Sequence, residues 1–230
     1  IYDFQQSVED GATVPLFYEN RTPELQLVNP DLNEDIYSEI EKANLDAEQE
    51  AKLEQVLGWQ YHLITRDDRL ETVAADIVRH FLARGFVGKA MVVAIDKATA
   101  LRLHEKVRKH WNADLQRTQK EMDALAYPSR TRGGELTPEQ ASRDMHMAEL
   151  KQRLNVLTTT DMAVIVSPGQ NEIKQMQALG LDIEPHRKRM NDSEPGLDEK
   201  FKDTTDPLRL VFVCAMWLTG FDAPSCSTVY

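Results

Sequence analysis

The sequence predicts an α/β protein built on a parallel sheet flanked by helices, and two observations carry that expectation. Residues 72–111 read as helix, strand, helix with short connections. Further short apolar runs at 162–166 and 208–214 bring the sheet back after helical stretches, the pattern of a parallel sheet with crossover helices. No internal repeat and no low-complexity tract interrupts the chain.

Each element follows from its own residues. Residues 13–18 and 25–28 are short β-type runs punctuated by Gly11, Pro15 and Pro23, and Pro15 demotes the first to an edge position. Residues 31–57 hold nine acids and two bases with few apolar anchors, which reads as a solvated helical linker. In 72–84, Val73, Ala74, Ile77, Val78, Phe81 and Leu82 recur at helical spacing, and Gly85 stops the helix. Residues 89–96 form a buried strand, followed by a helix over 99–111 with Ala100, Leu103, Val107 and Trp111 on one face. Residues 113–158 are polar and helix-prone around a loop at 128–138, and read as a helical insertion. Thr137, Pro138 and Gln140 there resemble a capped helix start. After the strand at 162–166, Pro168-Gly169 turns the chain into a helix over 171–179 that Gly180 ends. Residues 182–207, with Pro185, Pro195, Gly196 and Pro207, read as a loop with at most one helical turn. A strand at 208–214 and a final strand to Tyr230 complete the sheet. The domain reading is a lead-in and acidic linker over 1–60, then an α/β domain over 61–230.

Composition narrows the function classes. The chain has 230 residues, a net charge of −11, 41 % hydrophobic and 28 % charged residues, which excludes wholesale disorder, collagen and a disulfide scaffold. The longest apolar stretch, 210–218, is far shorter than the ~20 residues a bilayer needs, so no membrane partner is expected. Two cysteines, Cys214 and Cys226, fit a reducing cytoplasm and read as small buried apolar groups. The acidic balance argues against coating nucleic acid with the whole surface but leaves room for a local basic groove. The chain opens on Ile1 without a signal-peptide pattern and closes on Ser-Thr-Val-Tyr, a strand cut in mid-run, so it is expected to be a piece of something longer.

Several chemistries fail on spacing. Gly85-Phe-Val-Gly-Lys89 is too short for a phosphate loop and precedes a strand where a phosphate loop must follow one, so it reads as a helix stop. The histidines at 62, 80, 104, 110, 146 and 186 make no ligand pair, and His80 and His104 read as helix-surface residues. Pro30-Asp31 with Glu50-Ala-Lys52 echoes a divalent-ion nuclease array, but lies in a helix-prone stretch where that array needs a strand. No Gly-x-Ser-x-Gly turn is present. Two basic clusters could meet phosphates: residues 102–120, with six bases and two acids, and Arg187-Lys188-Arg189. Each could equally be a solvated face. The strongest signal is the loop Met216-Trp-Leu-Thr219-Gly220-Phe-Asp222-Ala-Pro224 after an apolar strand. Thr219 and Gly220 could offer a hydroxyl and close backbone amides to a phosphate, and Asp222 could accept from a ribose hydroxyl. Such a loop belongs beyond the carboxyl ends of parallel strands, where these folds keep their sites. A tight turn capped by Asp222 is the plain alternative.

That run resembles motif V of superfamily 2 helicases and translocases. Its wording, Met-Trp-Leu-Thr-Gly-Phe-Asp-Ala-Pro, resembles the motor/restriction (R) subunit of type I restriction–modification enzymes. Tyr2-Asp3, Ser7 to Pro15 and Phe17-Tyr18-Glu19 resemble the segment those subunits carry after their first motor domain, and Lys89 to Asp96 with the following helix resembles their motif IV. The resemblance implies the second RecA-like lobe of an ATP-dependent DNA translocase and endonuclease, truncated after motif V. It implies Asp222 and Gly220 in nucleotide coupling. It implies DNA-backbone contacts from Thr219 and Gly220, and from Asp96, Lys97 and Thr99, with Arg187, Lys188 and Arg189 as the further basic candidates. Implied partners are double-stranded DNA, the first RecA-like lobe and nuclease domain of the same chain, and the methylation and specificity subunits. The implied cofactors are ATP and Mg²⁺ in the parent protein, with none bound and no catalysis by this piece alone. Two rivals stand beside it: a lobe of another superfamily 2 helicase or remodeller, and a non-catalytic interaction domain on a motor-like fold.

Overall fold

The computed structural model describes residues 4–10, 17–21, 58, 60–86, 88–125, 138–218 and 220–230. It divides into two compact units, Ile1–Ala43 and Asn44–Tyr230. In the first, α1 (Phe4–Glu9) is a short helix. Residues 17–21 have no regular structure, so the strand expected over 13–18 does not reach 17 and 18. Residues 13–16, 25–28 and the acidic stretch 31–57 lie outside the described residues.

The second unit opens with helical residues 60–64. It continues as α2 (Asp67–Ala83), β1 (Lys89–Val93), α3 (Lys97–Leu125), α4 (Pro138–Thr159) and β2 (Asp161–Val166), then α5 (Glu172–Ala178), α6 (Glu184–Asp192), α7 (Leu197–Lys202), β3 (Leu208–Cys214) and β4 (Cys226–Val229). The strands form one sheet in the order β2-β3-β1-β4, and every pairing is parallel. Ala90 faces Leu210 across β1–β3, and Val164 faces Phe212 across β2–β3.

Period-2 alternation sorts the strand side chains into two cores. Ala90, Val92, Met162, Val164, Val166, Leu210 and Phe212 join Ala74, Ile77, Val78 and Phe81 of α2 and Leu101, Val107 and Trp111 of α3 on one face. Met91, Ala163, Ile165, Val211 and Val213 meet Leu197 and Phe201 of α7 on the other. Both faces are dry, which is why these strands read as unbroken apolar runs.

Two local expectations need correction. Residues 182–207 are not loop; they hold α6 and α7. Helix α6 has no buried residue, so no apolar stripe announces it, while α7 buries only Leu197 and Phe201. The helix after β1 does not end near Trp111 but runs to Leu125, its outer half packed against α4. By contrast Gly85, at φ +72°, stops α2 as expected. Pro138 opens α4 as expected, its missing N–H costing nothing there.

Two polar residues in the core and one at its margin matter. Lys89 is buried, and its Nζ donates to the Lys200 carbonyl at 2.6 Å in the last turn of α7 and lies over the Phe201 ring. A cation at a helix carboxyl terminus is well placed for the helix dipole. The lysine of the Gly85–Lys89 run is thus a helix cap beneath the sheet and no phosphate ligand. His104 is not a surface residue, as expected from its helix, but 4 % exposed, edge-on to Phe212 at 5.3 Å and to His186 at 4.8 Å. His80 is half-buried, its Nδ1 2.7 Å from the Tyr230 hydroxyl. The cysteines are half-buried and free rather than fully buried.

Burial, then the neighbouring His186, Arg108 and Arg189, push the His104 pKa down to about 3. A depressed histidine pKa means the folded state binds fewer protons than the unfolded chain. Stability is therefore full above the ordinary histidine value and falls as pH drops towards 3, by up to about 1.4 kcal/mol per pH unit. Urea denaturation between pH 7.5 and 4 is expected to show this slope in the native chain and a shallower one in His104→Phe. Phe201→Ala removes a side chain with no exposure and is expected to cost about 3–5 kcal/mol in the same assay at pH 7.5.

Candidate functional site at the carboxyl edge of the sheet

Parallel strands place their following loops on one edge. Here that edge receives residues 94–97 after β1, 167–172 after β2 and the start of 215–225 after β3. Because β3 lies between β2 and β1, its loop leaves between the other two.

The β1 loop is fixed by Asp96. Its Oδ1 accepts from the Thr99 backbone N–H at 2.6 Å, an N-cap for α3, and its Oδ2 accepts from the Tyr61 hydroxyl. Burial pushes the Asp96 pKa up, but the hydrogen bonds from Tyr61 and the Thr99 amide outweigh it and hold the carboxyl below its usual range. Thr99 is buried, while Asp96 and Lys97 are partly exposed at the rim.

The β2 loop is fixed by Glu172. This carboxylate is 8 % exposed and grips Arg187 through two bonds, Nε to Oε1 at 2.8 Å and Nη2 to Oε2 at 2.9 Å. Lys97 Nζ lies 3.5 Å from the same Oε2. Burial raises the Glu172 pKa, yet Arg187 and then Lys97 overcome it, so the net shift is downward. Glu172 thereby ties α3, α5 and α6 together at one point.

The basic run 187–189 is split by this geometry. β2 is an edge strand, and its outward carbonyls need partners. Arg187 donates to the Val166 and Ser167 carbonyls at 3.0 and 3.1 Å, while Arg189 donates to the Met162 carbonyl at 2.7 Å and pairs with Asp161. Both guanidinium groups, expected as DNA-backbone contacts, are engaged along the strand. Lys188 between them is exposed and makes no hydrogen bond or ion pair among the described residues.

The β3 loop does more than turn at the edge. It must reach the amino end of β4, beyond β1, and by Ser225 it is already paired with the Lys89 amide. Ala215 at φ 55°, Trp217 at φ 64° and Gly220 at φ 70° bend it. The first two are not glycine and cost about 1–2 kcal/mol each. Trp217 stacks on Phe221 with centroids 4.2 Å apart, both lie against Phe201, and Lys202 Nζ sits 4.9 Å from the Phe221 ring. Thr219 lies outside the described residues. Asp222 is exposed, three residues before the chain reaches the amino edge.

Sequence reasoning missed Glu172 and Tyr61. Neither stands in a motif; each is defined by partners 15 and 35 residues away. The carboxylates here do not fit a magnesium site, since Asp96 is taken by Tyr61 and the helix cap and Glu172 by two cations. Among the described residues no three His, Cys, Asp or Glu side chains cluster as metal ligands.

A parallel sheet covered on both faces, with its polar loops gathered at the carboxyl edge, is the arrangement of a RecA-like lobe. Comparison of the sequence with known proteins gives the kinship. The chain is 30 % identical over 235 residues to the type I restriction enzyme HindI endonuclease subunit of Haemophilus influenzae. It is 26 % identical over 231 residues to a protein of Methanocaldococcus jannaschii assigned as the MjaIXP endonuclease subunit of a type I restriction enzyme. Each match covers this whole chain and 17 % of the relative, so the chain is similar throughout to one segment of a much longer type I restriction endonuclease subunit. No protein-family model matches it, and no solved structure is similar to it at a significant level. No described helix is long and apolar enough to cross a membrane.

Asp96→Ala is expected to cost about 0.5–2 kcal/mol at pH 7 by loss of the cap. That contribution is present above the ordinary carboxylate pKa and is lost as pH falls through the lower folded value, so the two chains should converge in urea titrations carried below that folded value. Glu172→Ala strands Arg187 and is expected to cost about 3 kcal/mol.

Proposed function

We propose that this chain is the second motor lobe of the ATP-dependent DNA translocase and endonuclease subunit of a type I restriction enzyme, working on double-stranded DNA in the cytoplasm. The observation that supports the reading is the match of the whole chain to one segment of two type I restriction endonuclease subunits, together with a RecA-like sheet whose carboxyl-edge loops hold the candidate residues. Lys97, held by Glu172, and Lys188, exposed on α6, supply positive charge for phosphates. Asp96 and Thr99 order the first turn of α3 at the same rim. Thr219 and Gly220 contact the DNA backbone, and Gly220 and Asp222 couple it to nucleotide state. Arg187 and Arg189 hold the β2 edge in place, so their effect on DNA runs through Lys188.

ATP and Mg²⁺ act in the whole subunit, between this lobe and a first lobe that supplies the phosphate-binding lysine and the metal-holding acids. This chain alone then binds neither and neither hydrolyses ATP nor cuts DNA. The methylation and specificity subunits set where the complex stands on the duplex.

In the full-length subunit assembled with its partners, Asp222→Ala is expected to lower DNA-stimulated ATP turnover about tenfold or more, the loss of roughly 1.4 kcal/mol of coupling. Unchanged turnover would sink the motor reading in favour of an interaction domain. Lys188→Ala should weaken DNA binding about equally across sequences and reduce the slope of log K against log salt by about 0.9.

A further inference from the structure

Away from the carboxyl edge, a cavity of about 410 Å³ opens between α3, α6 and the start of β2. Its size falls within the range of small-molecule sites. His104, Arg108 and Trp111 of α3 line one wall, and His186 and Arg189 of α6 with Asp161 of β2 line the other. None of these serves the rim described above, except that Arg189 and Asp161 pin the β2 edge.

The wall has an unmet need. His104 is 4 % exposed, and its Nδ1 has no hydrogen-bond partner. Buried polar atoms are nearly always paired, but this one is closed to solvent as well, so it marks a ring packed against Phe212 and is not itself a contact for a guest. Arg108 forms no hydrogen bond or ion pair among the described residues. Arg189 is balanced by Asp161, so the cavity keeps about one net positive charge when both histidines are neutral. The Trp111 ring is held in place by its Nε1 bond to the Leu157 carbonyl at 2.9 Å, beside apolar Leu115 and Leu157.

The chemistry of the wall selects the occupant. A cation is repelled by Arg108 and Arg189. A metal ion lacks a third ligand among the described residues. A purely apolar guest gives the Arg108 guanidinium nothing to pair with. An oxyanion accepts from a guanidinium and from imidazole N–H groups, and bonds of that charge-assisted kind are the strong ones. We propose that this cavity is a binding site for a single phosphate group, taken either as the free ion or as the phosphate of a mononucleotide, with Arg108 and His186 as its donors and the His104 ring as part of the wall behind them. The site stands apart from the motor reading and holds whether or not that reading does.

The test is a titration of the 230-residue chain with inorganic phosphate, and separately with adenosine monophosphate, against chloride at matched ionic strength. Histidine ring resonances in two-dimensional NMR and the thermal midpoint report binding. Saturable shifts of the His104 and His186 resonances, with a rise in the midpoint, are expected. Arg108→Gln, an exposed change that leaves the core intact, is expected to weaken binding about tenfold, and His186→Gln to weaken it too. Mononucleotide binding about tenfold tighter than phosphate would assign the occupant to the nucleotide, through contact with the Trp111 side; equal affinity would assign it to the free ion. No saturable shift, or binding that Arg108→Gln leaves unchanged, overturns the proposal. Failure of the Asp222→Ala test bears only on the motor reading.

Discussion

A parallel sheet cannot leave a face wet, because its strands carry apolar side chains on both sides and its crossovers must travel over those sides. In this chain β3 bears the constraint most heavily: Leu208, Leu210, Val211, Phe212 and Val213 have no exposure. One face receives the large helices α2 and α3. The other is closed by small means, Leu197 and Phe201 of α7 and the stacked Trp217 and Phe221 of the loop after β3. The loop that carries Gly220 and Asp222 is thus also a piece of the core lid. Its two left-handed non-glycine residues are the cost of crossing to β4 and covering this face within eleven residues.

The edge of the sheet poses the second demand. Among the described residues β2 pairs on one side only, and its outward carbonyls, left bare, would invite another strand. The chain answers with guanidinium groups from α6 and anchors one of them on buried Glu172. Lys97 shares that anchor, so a feature that protects the sheet edge also steadies a cation at the carboxyl rim. Structural and candidate functional roles meet in one carboxylate.

How much of this was legible beforehand follows from where the apolar residues are. The three long strands and α2 carry dense hydrophobic patterns and could be read directly. Helix α3 could be read only as far as Trp111, because beyond it the partner is α4 and the residues are polar. Helices α6 and α7 were invisible, since polar contacts and two side chains hold them. At the site, Asp96, Gly220 and Asp222 were picked out through resemblance. Glu172, Tyr61 and the inward use of Arg187 and Arg189 were not, because each depends on a partner the chain brings near only by folding. His104 misled for the same reason: a histidine on a helix gives no sign of which face will be covered.

Helix α3 has a mechanical meaning beyond its packing. Its 29 residues make a rod of about 44 Å. The first turn carries Asp96, Lys97 and Thr99 at the carboxyl rim, and the far end is braced by α4 well past the last strand contact. The inner half of that rod is held in the core, so the outer half carries the helical hairpin at a fixed offset from the rim.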